Sequence, residues 1–285
     1  MPAHLMGLLG LLASSQTLAQ EPPSPPADAQ EIVVEGQRDR EQQVREFVRT
    51  ITVPERNFGQ LGRFELTACP LVVGLGPSQD RKVEQRMKQV ALAGGIESGG
   101  QRCIPNVFVF IADDKEKTIK WMGRHTPYLF VHANGRAVVI SHDKSPATAW
   151  HLLGTKDRAG RESDFYVYGE TPSLVRPMAR PHFLASVLVV EARALAGLTT
   201  TEFADYAAMR SFAQLDPLKM KDQSVPTILT ILDAPSDTAV PLTLTGWDLA
   251  FLRGLYGSEY NQYAGTQQRE IGRSMLKDLA QPQRN

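Results

Sequence analysis

Five histidines outside the first twenty residues are the side chains best suited to bind a metal ion or to move protons. They are His125, His132, His142, His151 and His182. No two of them lie four residues apart on a predicted helix, and none has the spacing of a structural zinc site. This spacing predicts scattered core or surface histidines. The alternative is an active metal-dependent hydrolase or peptidase that gathers histidines of the 125–151 region through folding.

Two short motifs contain residue types of catalytic or phosphate-binding sites, but neither pattern is complete. Ser141-His142-Asp143 places three triad residue types in a row, whereas the members of a catalytic triad meet in space rather than in sequence. We interpret it as a turn. Gly74 and Gly76 follow a predicted strand, but the third glycine of a phosphate-binding loop is missing and Pro77 interrupts the pattern.

Glu191 is the one acidic side chain in the apolar segment 181–196. The segment predicts a helix that is apolar almost all the way round, and such a helix belongs in a core. A buried carboxylate is costly unless it is paired. We therefore expect Glu191 at the floor of an open groove, or in a salt bridge to an arginine from another element. Arg193 is excluded as a partner on a helix, because two residues' separation points it to a different side.

The segment 190–200 resembles the zinc signature of the metzincin peptidases, H-E-x-x-H-x-x-G-x-x-H. Glu191 falls on the catalytic glutamate of that signature, and Gly197 falls on its turn glycine. The three zinc-ligand positions hold Val190, Ala194 and Thr200. Valine and alanine have no donor atom, and a neutral hydroxyl is a poor zinc ligand. The resemblance implies a peptidase-like fold with no bound metal, no cofactor and no catalytic residues.

Features on both sides of the signature extend the resemblance over residues 64–258. The predicted order of strand, helix, strand and further strands is that of the metzincin upper subdomain, and Met209 lies where a Met-turn would fall. The segment 244–257 is similar to the L-T-x-x-D-x-x-x-L-x-x-L-Y-G helix of many bacterial metzincin-related domains. It is also similar to exported bacterial domains of unknown function of the DUF2927 type. An ordinary amphipathic helix with its leucines facing a core is the alternative.

The order of the predicted elements indicates an α/β (α+β) fold, with a mixed twisted sheet, a buried central helix and a helical C-terminal half. Apolar runs predict strands, and 3.6-residue periodicity with capping residues predicts helices. The predicted strands are 71–75, 106–111, 137–140, 150–153 and 164–168. The predicted helices are 78–92, 113–122, 181–196, 201–213, 245–256 and 267–280.

The two cysteines precede the first two predicted strands. Cys69 lies two residues before the first strand, and Cys103 lies a few residues before the second. If these strands are parallel neighbours, both thiols lie at the same end of the sheet. An oxidising compartment would then allow a Cys69–Cys103 disulfide. Closing the loop between the two cysteines is expected to stabilise the folded state by roughly 4 kcal/mol. Two buried free thiols are the alternative.

The N-terminal residues predict export. Residues 5–13 form an apolar run followed by small and polar residues, which is typical of a signal peptide over residues 1–20. Residues 21–45 hold a proline-rich linker and a short box, Glu31 to Arg38, which resembles the "EIVV-x-G" box of TonB-dependent outer-membrane receptors. A lone edge strand is the preferred interpretation of that box, with a structural accessory of the outer membrane as an alternative. Residues 46–285 are expected to form a single metzincin-like domain.

Composition limits the partners. The chain has 285 residues, with 31 lysines and arginines against 31 aspartates and glutamates. This balance argues against general binding to nucleic acid or to an anionic membrane, although a local patch is compatible with it. The apolar leader is too short for a transmembrane span. The sequence therefore predicts a periplasmic or secreted binding or accessory protein of the cell envelope, with a protein or peptide partner and Glu191 in its candidate cleft.

Overall fold

A computed structural model describes residues 27–56, 59–100, 102–142, 144–163, 177–220, 225–234 and 239–281, with the backbone alone for 27–37. The predicted signal peptide, the proline-rich segment up to residue 26 and the predicted strand 164–168 lie outside these residues. The chain divides into two compact units, Met1–Arg38 and Asp39–Asn285. The predicted edge strand at 31–38 is wrong, because its backbone is helical.

Six helices and four strands make up the described residues. The helices are α1 Ala27–Ile51, α2 Pro77–Ala93, α3 Lys115–His125, α4 Thr200–Phe212, α5 Gly246–Gly257 and α6 Ala264–Ala280. The strands are β1 Pro70–Val73, β2 Val107–Ala112, β3 Ala147–Asp157 and β4 Ala179–Glu191. Short 3-10 turns lie at Pro127–Phe130, Ala192–Leu195, Pro217–Met220 and Ile228–Thr230. The predicted α/β fold with a helical C-terminal half is confirmed.

The four strands form one mixed sheet in the order β1-β2-β4-β3. Strands β1, β2 and β4 are parallel, and β3 runs antiparallel to β4. Helix α2 makes the crossover between β1 and β2, as a parallel pair requires. The predicted strand 137–140 is absent from the sheet and contributes one isolated bridge, between Val131 and Ala137.

The predicted helix 181–196 is wrong, because its residues form most of β4, the 13-residue strand next to β2 and β3. A strand in the middle of a sheet is buried on both faces and therefore shows no alternation of apolar and polar residues. Its side chains alternate between two cores instead. Leu188 and Val190 pack into the larger core, whereas Val187 and Val189 pack into the smaller one.

The two cores lie on opposite faces of the sheet. The larger core contains buried side chains of α1, α2, α4, α5 and α6, and the smaller core contains Ile119 and Met122 of α3. The buried central helix of this fold is α4, where eleven of its thirteen residues are buried. No helix among the described residues is long and apolar enough to cross a membrane.

Helix α5 is anchored at its first turn by a buried carboxylate. Thr245 and Asp248 form a capping box, in which each side chain accepts a hydrogen bond from the other residue's backbone N–H. The same Asp248 carboxylate accepts hydrogen bonds from the Thr227 hydroxyl at 2.5 Å and from the Ile228 N–H at 2.9 Å. Asp248 is fully buried. It therefore joins the start of α5 to the turn at Ile228–Thr230.

We expect Asp248→Ala to lower the free energy of unfolding by about 3 kcal/mol, because it leaves a buried hydroxyl and a buried N–H without an acceptor. Glu202→Ala is the matched control, since Glu202 completes the capping box of α4 with Thr199. Within the described ranges, its carboxylate accepts no hydrogen bond from a second segment. That control is expected to cost about 1 kcal/mol. Urea unfolding measures both values, and equal losses would contradict the anchoring role of Asp248.

Candidate functional site

Glu191 lies at the carboxyl end of β4, beside the end of β2, where its register partner is Ala112. Its side chain is 14% exposed and forms a salt bridge with Arg193, whose Nε lies 2.8 Å from the Glu191 carboxylate. The exclusion of Arg193 as a partner is therefore wrong. It assumed helical geometry, whereas the chain leaves a strand at Glu191 and turns at Ala192–Leu195.

The zinc-signature register requires a helix, whereas residues 190–200 span the end of a strand, a 3-10 turn and the start of another helix. Val190 lies in β4, Ala194 lies in the 3-10 turn, and Thr200 is the first residue of α4. The signature requires its first two ligands on successive turns of one helix. The alignment of residues 190–200 with that signature is therefore wrong, and the wider family relationship stays a prediction that rests on the C-terminal motif.

A second cluster lies near the start of β3. The ammonium group of Lys115, which is 3% exposed, donates a hydrogen bond to the Ser145 carbonyl at 2.7 Å. The Ser145 hydroxyl lies 3.3 Å from a carboxylate oxygen of Asp233. Lysine, serine and aspartate are residue types of hydrolase sites. Here the lysine is directed at a backbone carbonyl, so the arrangement supports the start of β3.

The predicted disulfide between Cys69 and Cys103 is present. The two Cα atoms are 6.0 Å apart, within the range that a disulfide requires. The bridge joins the segments just before β1 and β2, and Asn106 accepts a hydrogen bond from the Cys69 N–H at 2.8 Å. A Cβ atom at Gly99 would lie 2.5 Å from the Cys103 sulfur, so the bridge requires glycine at that position.

The structure places three of the histidines at or near the surface. His125 stacks on Trp121 with ring centroids 4.4 Å apart. His132 is half-buried, and its Nδ1 accepts a hydrogen bond from the Leu153 N–H at 3.1 Å. Burial lowers the pKa of His132. His142 lies 3.0 Å from Glu116 and is exposed.

The other two histidines are buried in the sheet. The His151 ring stacks on Phe183, and its Nε2 lies 3.1 Å from the Ser211 carbonyl. Burial lowers the pKa of His151 to about 3, so the ring is neutral at pH 7. His182 is fully buried, with Nε2 at 3.1 Å from Glu162. Within the described ranges, no group of three histidine, cysteine or acidic side chains has a geometry that would hold a metal ion.

The C-terminal motif that resembles metzincin-related domains has a structural explanation at each of its polar positions. Thr245 and Asp248 cap α5, as described above. The Tyr256 hydroxyl donates a hydrogen bond to the Phe212 carbonyl at 2.7 Å and accepts one from the Phe64 N–H at 3.2 Å. Met209, predicted in a Met-turn, is a buried residue of α4. The motif therefore joins α5 to α4 and to the segment before β1.

Two arginines enclose the ring of Tyr260. The guanidinium of Arg63 lies 3.7 Å from the ring centroid and that of Arg180 lies at 4.6 Å. The Glu65 carboxylate accepts hydrogen bonds from Arg180 at 3.1 Å and from Lys156 at 3.0 Å. Burial alone would raise the pKa of Glu65, but these hydrogen bonds outweigh it and leave the pKa below its usual value. Sequence reasoning missed this cluster, because its members are far apart in the chain.

An open groove lies between α1 and α6. Arg45 and Arg49 stand on the α1 wall and Arg269 on the α6 wall, with Glu46 and Gly265 also in the lining. The three guanidinium groups are exposed. Sequence reasoning missed this groove because helix α1 was not predicted. Once both helices are known, the four-residue spacing of Arg45 and Arg49 places them on one helix face.

We expect His151 to make the protein less stable as the pH falls. The pKa of His151 is near 6.5 in the unfolded chain and about 3 in the folded chain. The free energy of unfolding should therefore fall by about 2 kcal/mol between about pH 7 and about pH 5. His151→Gln should remove that part of the pH dependence in urea unfolding. The exposed His125→Gln should keep it, and equal pH profiles for the two variants would refute the assignment.

Comparisons with known proteins add no relative to this picture. No family model, no curated protein and no solved structure matches the chain.

Proposed function

We propose that this chain is an exported, disulfide-stabilised and non-catalytic binding or accessory protein of the cell envelope, either periplasmic or secreted. The observation that carries the proposal is the Cys69–Cys103 disulfide. Disulfides persist in oxidising compartments and are rare in the cytosol. The apolar run at residues 5–13 supplies the matching export signal in the sequence.

The contacts of the reactive side chains support a non-catalytic role. Glu191 is paired with Arg193, and Lys115 is directed at the Ser145 carbonyl. His151 is buried and neutral at pH 7. A general base must lie within hydrogen-bond reach of a substrate proton, and these groups are engaged with the protein instead.

The partner is expected to be another component of the envelope, a protein or peptide in the first instance. The relationship to DUF2927-type domains belongs to this proposal and depends on the α5 motif alone. Since that motif caps and anchors a helix, it supports a shared scaffold and implies no activity.

We expect protein from the cell envelope to begin near Gln20 or Glu21 and to lack the two thiol hydrogens by intact-mass measurement. Leu9→Arg interrupts the apolar run and should retain the full-length chain in the cytosol.

Cys69→Ser should lower the free energy of unfolding by roughly 3–4 kcal/mol, because the bridge closes a loop with a sequence separation of 34. Full-length cytosolic protein with both thiols alkylatable would overturn the proposal.

We expect purified protein to hold far less than one equivalent of zinc after dialysis and to leave casein uncut. The physical reason is that the two histidines have other partners: His132 accepts a hydrogen bond from a backbone N–H, and His142 is paired with Glu116. They therefore do not converge on one position where a zinc ion could bind both. Metal analysis by mass spectrometry measures the zinc content. Stoichiometric zinc that is lost in His132→Ala or His142→Ala would favour the hydrolase alternative.

A further inference from the structure

The α1–α6 groove carries more positive charge than its surroundings neutralise. Arg45 is 3.8 Å from Glu41, a loose and exposed pair. Arg49 and Arg269 have no carboxylate partner within the described part of the chain, and Arg269 donates to the Thr266 hydroxyl at 2.9 Å.

Two other arginines of the fold, Arg86 and Arg253, are paired with carboxylates. Arg86 binds the fully buried Asp205 carboxylate through two nitrogens, at 2.6 and 2.9 Å. Arg253 lies 3.6 Å from Asp278. Arg49 and Arg269 differ from these because no carboxylate of the described residues pairs with them, and an exposed planar guanidinium is well suited to bind phosphate oxygens.

The positive charge continues along α6 beyond the groove. Arg269, Arg273 and Lys277 follow one another at four-residue intervals and are all exposed, which spaces them over about 12 Å of helix. The groove itself has a volume of about 480 Å³. A single inorganic anion would meet one or two of these groups, whereas a row of this length matches several phosphates side by side.

We propose that the α1–α6 groove and the basic row on α6 are a docking surface for the phosphate headgroups of an anionic lipid membrane. The chain's zero net charge makes this a local attraction rather than a general one. Each arginine or lysine near an anionic bilayer contributes about 1 kcal/mol, and salt screens the attraction within about 8–10 Å. This inference rests on the proposed function, because export places the protein beside the membranes of the envelope.

Co-sedimentation of the purified mature protein tests it, with vesicles of phosphatidylcholine alone and with one-third phosphatidylglycerol. Binding is expected with the anionic vesicles alone and should weaken as sodium chloride is added. Arg49→Gln and Arg269→Gln should each lower the partition coefficient about five-fold. Arg124→Gln is the matched control, because Arg124 is exposed on α3, away from the groove, and should bind as the unsubstituted protein does.

Two further variants separate binding from folding. Glu46→Gln removes the acid of the lining and should raise the partition coefficient about five-fold. Gly265→Asp adds a negative charge where a Cβ atom meets nothing closer than Arg269 at 4.0 Å. An aspartate in the first turn of α6 favours the helix dipole, so this variant should stay folded and still bind more weakly.

Equal binding to neutral and anionic vesicles, or equal partition of Arg49→Gln and Arg124→Gln, would overturn the inference. Groove-dependent binding of inorganic phosphate, or of a soluble acidic peptide or nucleic acid, without vesicle binding would overturn it as well. If the protein is cytosolic and still binds anionic vesicles, the proposed function is wrong and the docking surface stands. If the protein is exported and does not bind anionic vesicles, the docking surface is wrong and the proposed function stands.

Discussion

The hydrogen bonding of β4 between β2 and β3 is the constraint on which the rest of the structure depends. Strand β4 is buried on both faces, so both cores must form against it: α1, α2, α4, α5 and α6 contribute to one core and α3 to the other. Its parallel pairing with β2 also determines where Glu191 emerges. At the amino end of the strand, the Arg180 guanidinium lies over the ring of Tyr260.

Much of the first half of the fold could be predicted from local signals. The sequence predicts helix α2 over 78–92, and the helix spans Pro77–Ala93. The prediction succeeds because Gly94 ends the helix and its apolar residues recur at helical spacing. Strand β2 and the Cys69–Cys103 bridge followed from a buried apolar run and from the placement of the thiols. Helix α2 and strand β2 depend on neighbours in the chain, and the bridge follows from the order of these elements.

The failures share a physical cause. A strand buried on both faces and a helix buried all round both appear as continuous apolar segments, and periodicity cannot separate them. The three valines of residues 187–190 favour a strand. The predicted helix 181–196 also led to a wrong prediction for Glu191. It implied the zinc-signature register and excluded the pairing of Glu191 with Arg193 that the structure contains. The α1–α6 groove depends on residues more than two hundred positions apart, which no local pattern connects.

The disulfide has a consequence for proteolysis. Cys69 and Cys103 enclose β1, α2 and most of the connection to β2 in one covalent ring. A protease that cuts once inside this ring, for instance after the exposed Leu92, leaves both fragments attached to each other. The nicked chain keeps its strand order and can close again around the larger core, so a single cleavage between Cys69 and Cys103 does not release a piece of the domain.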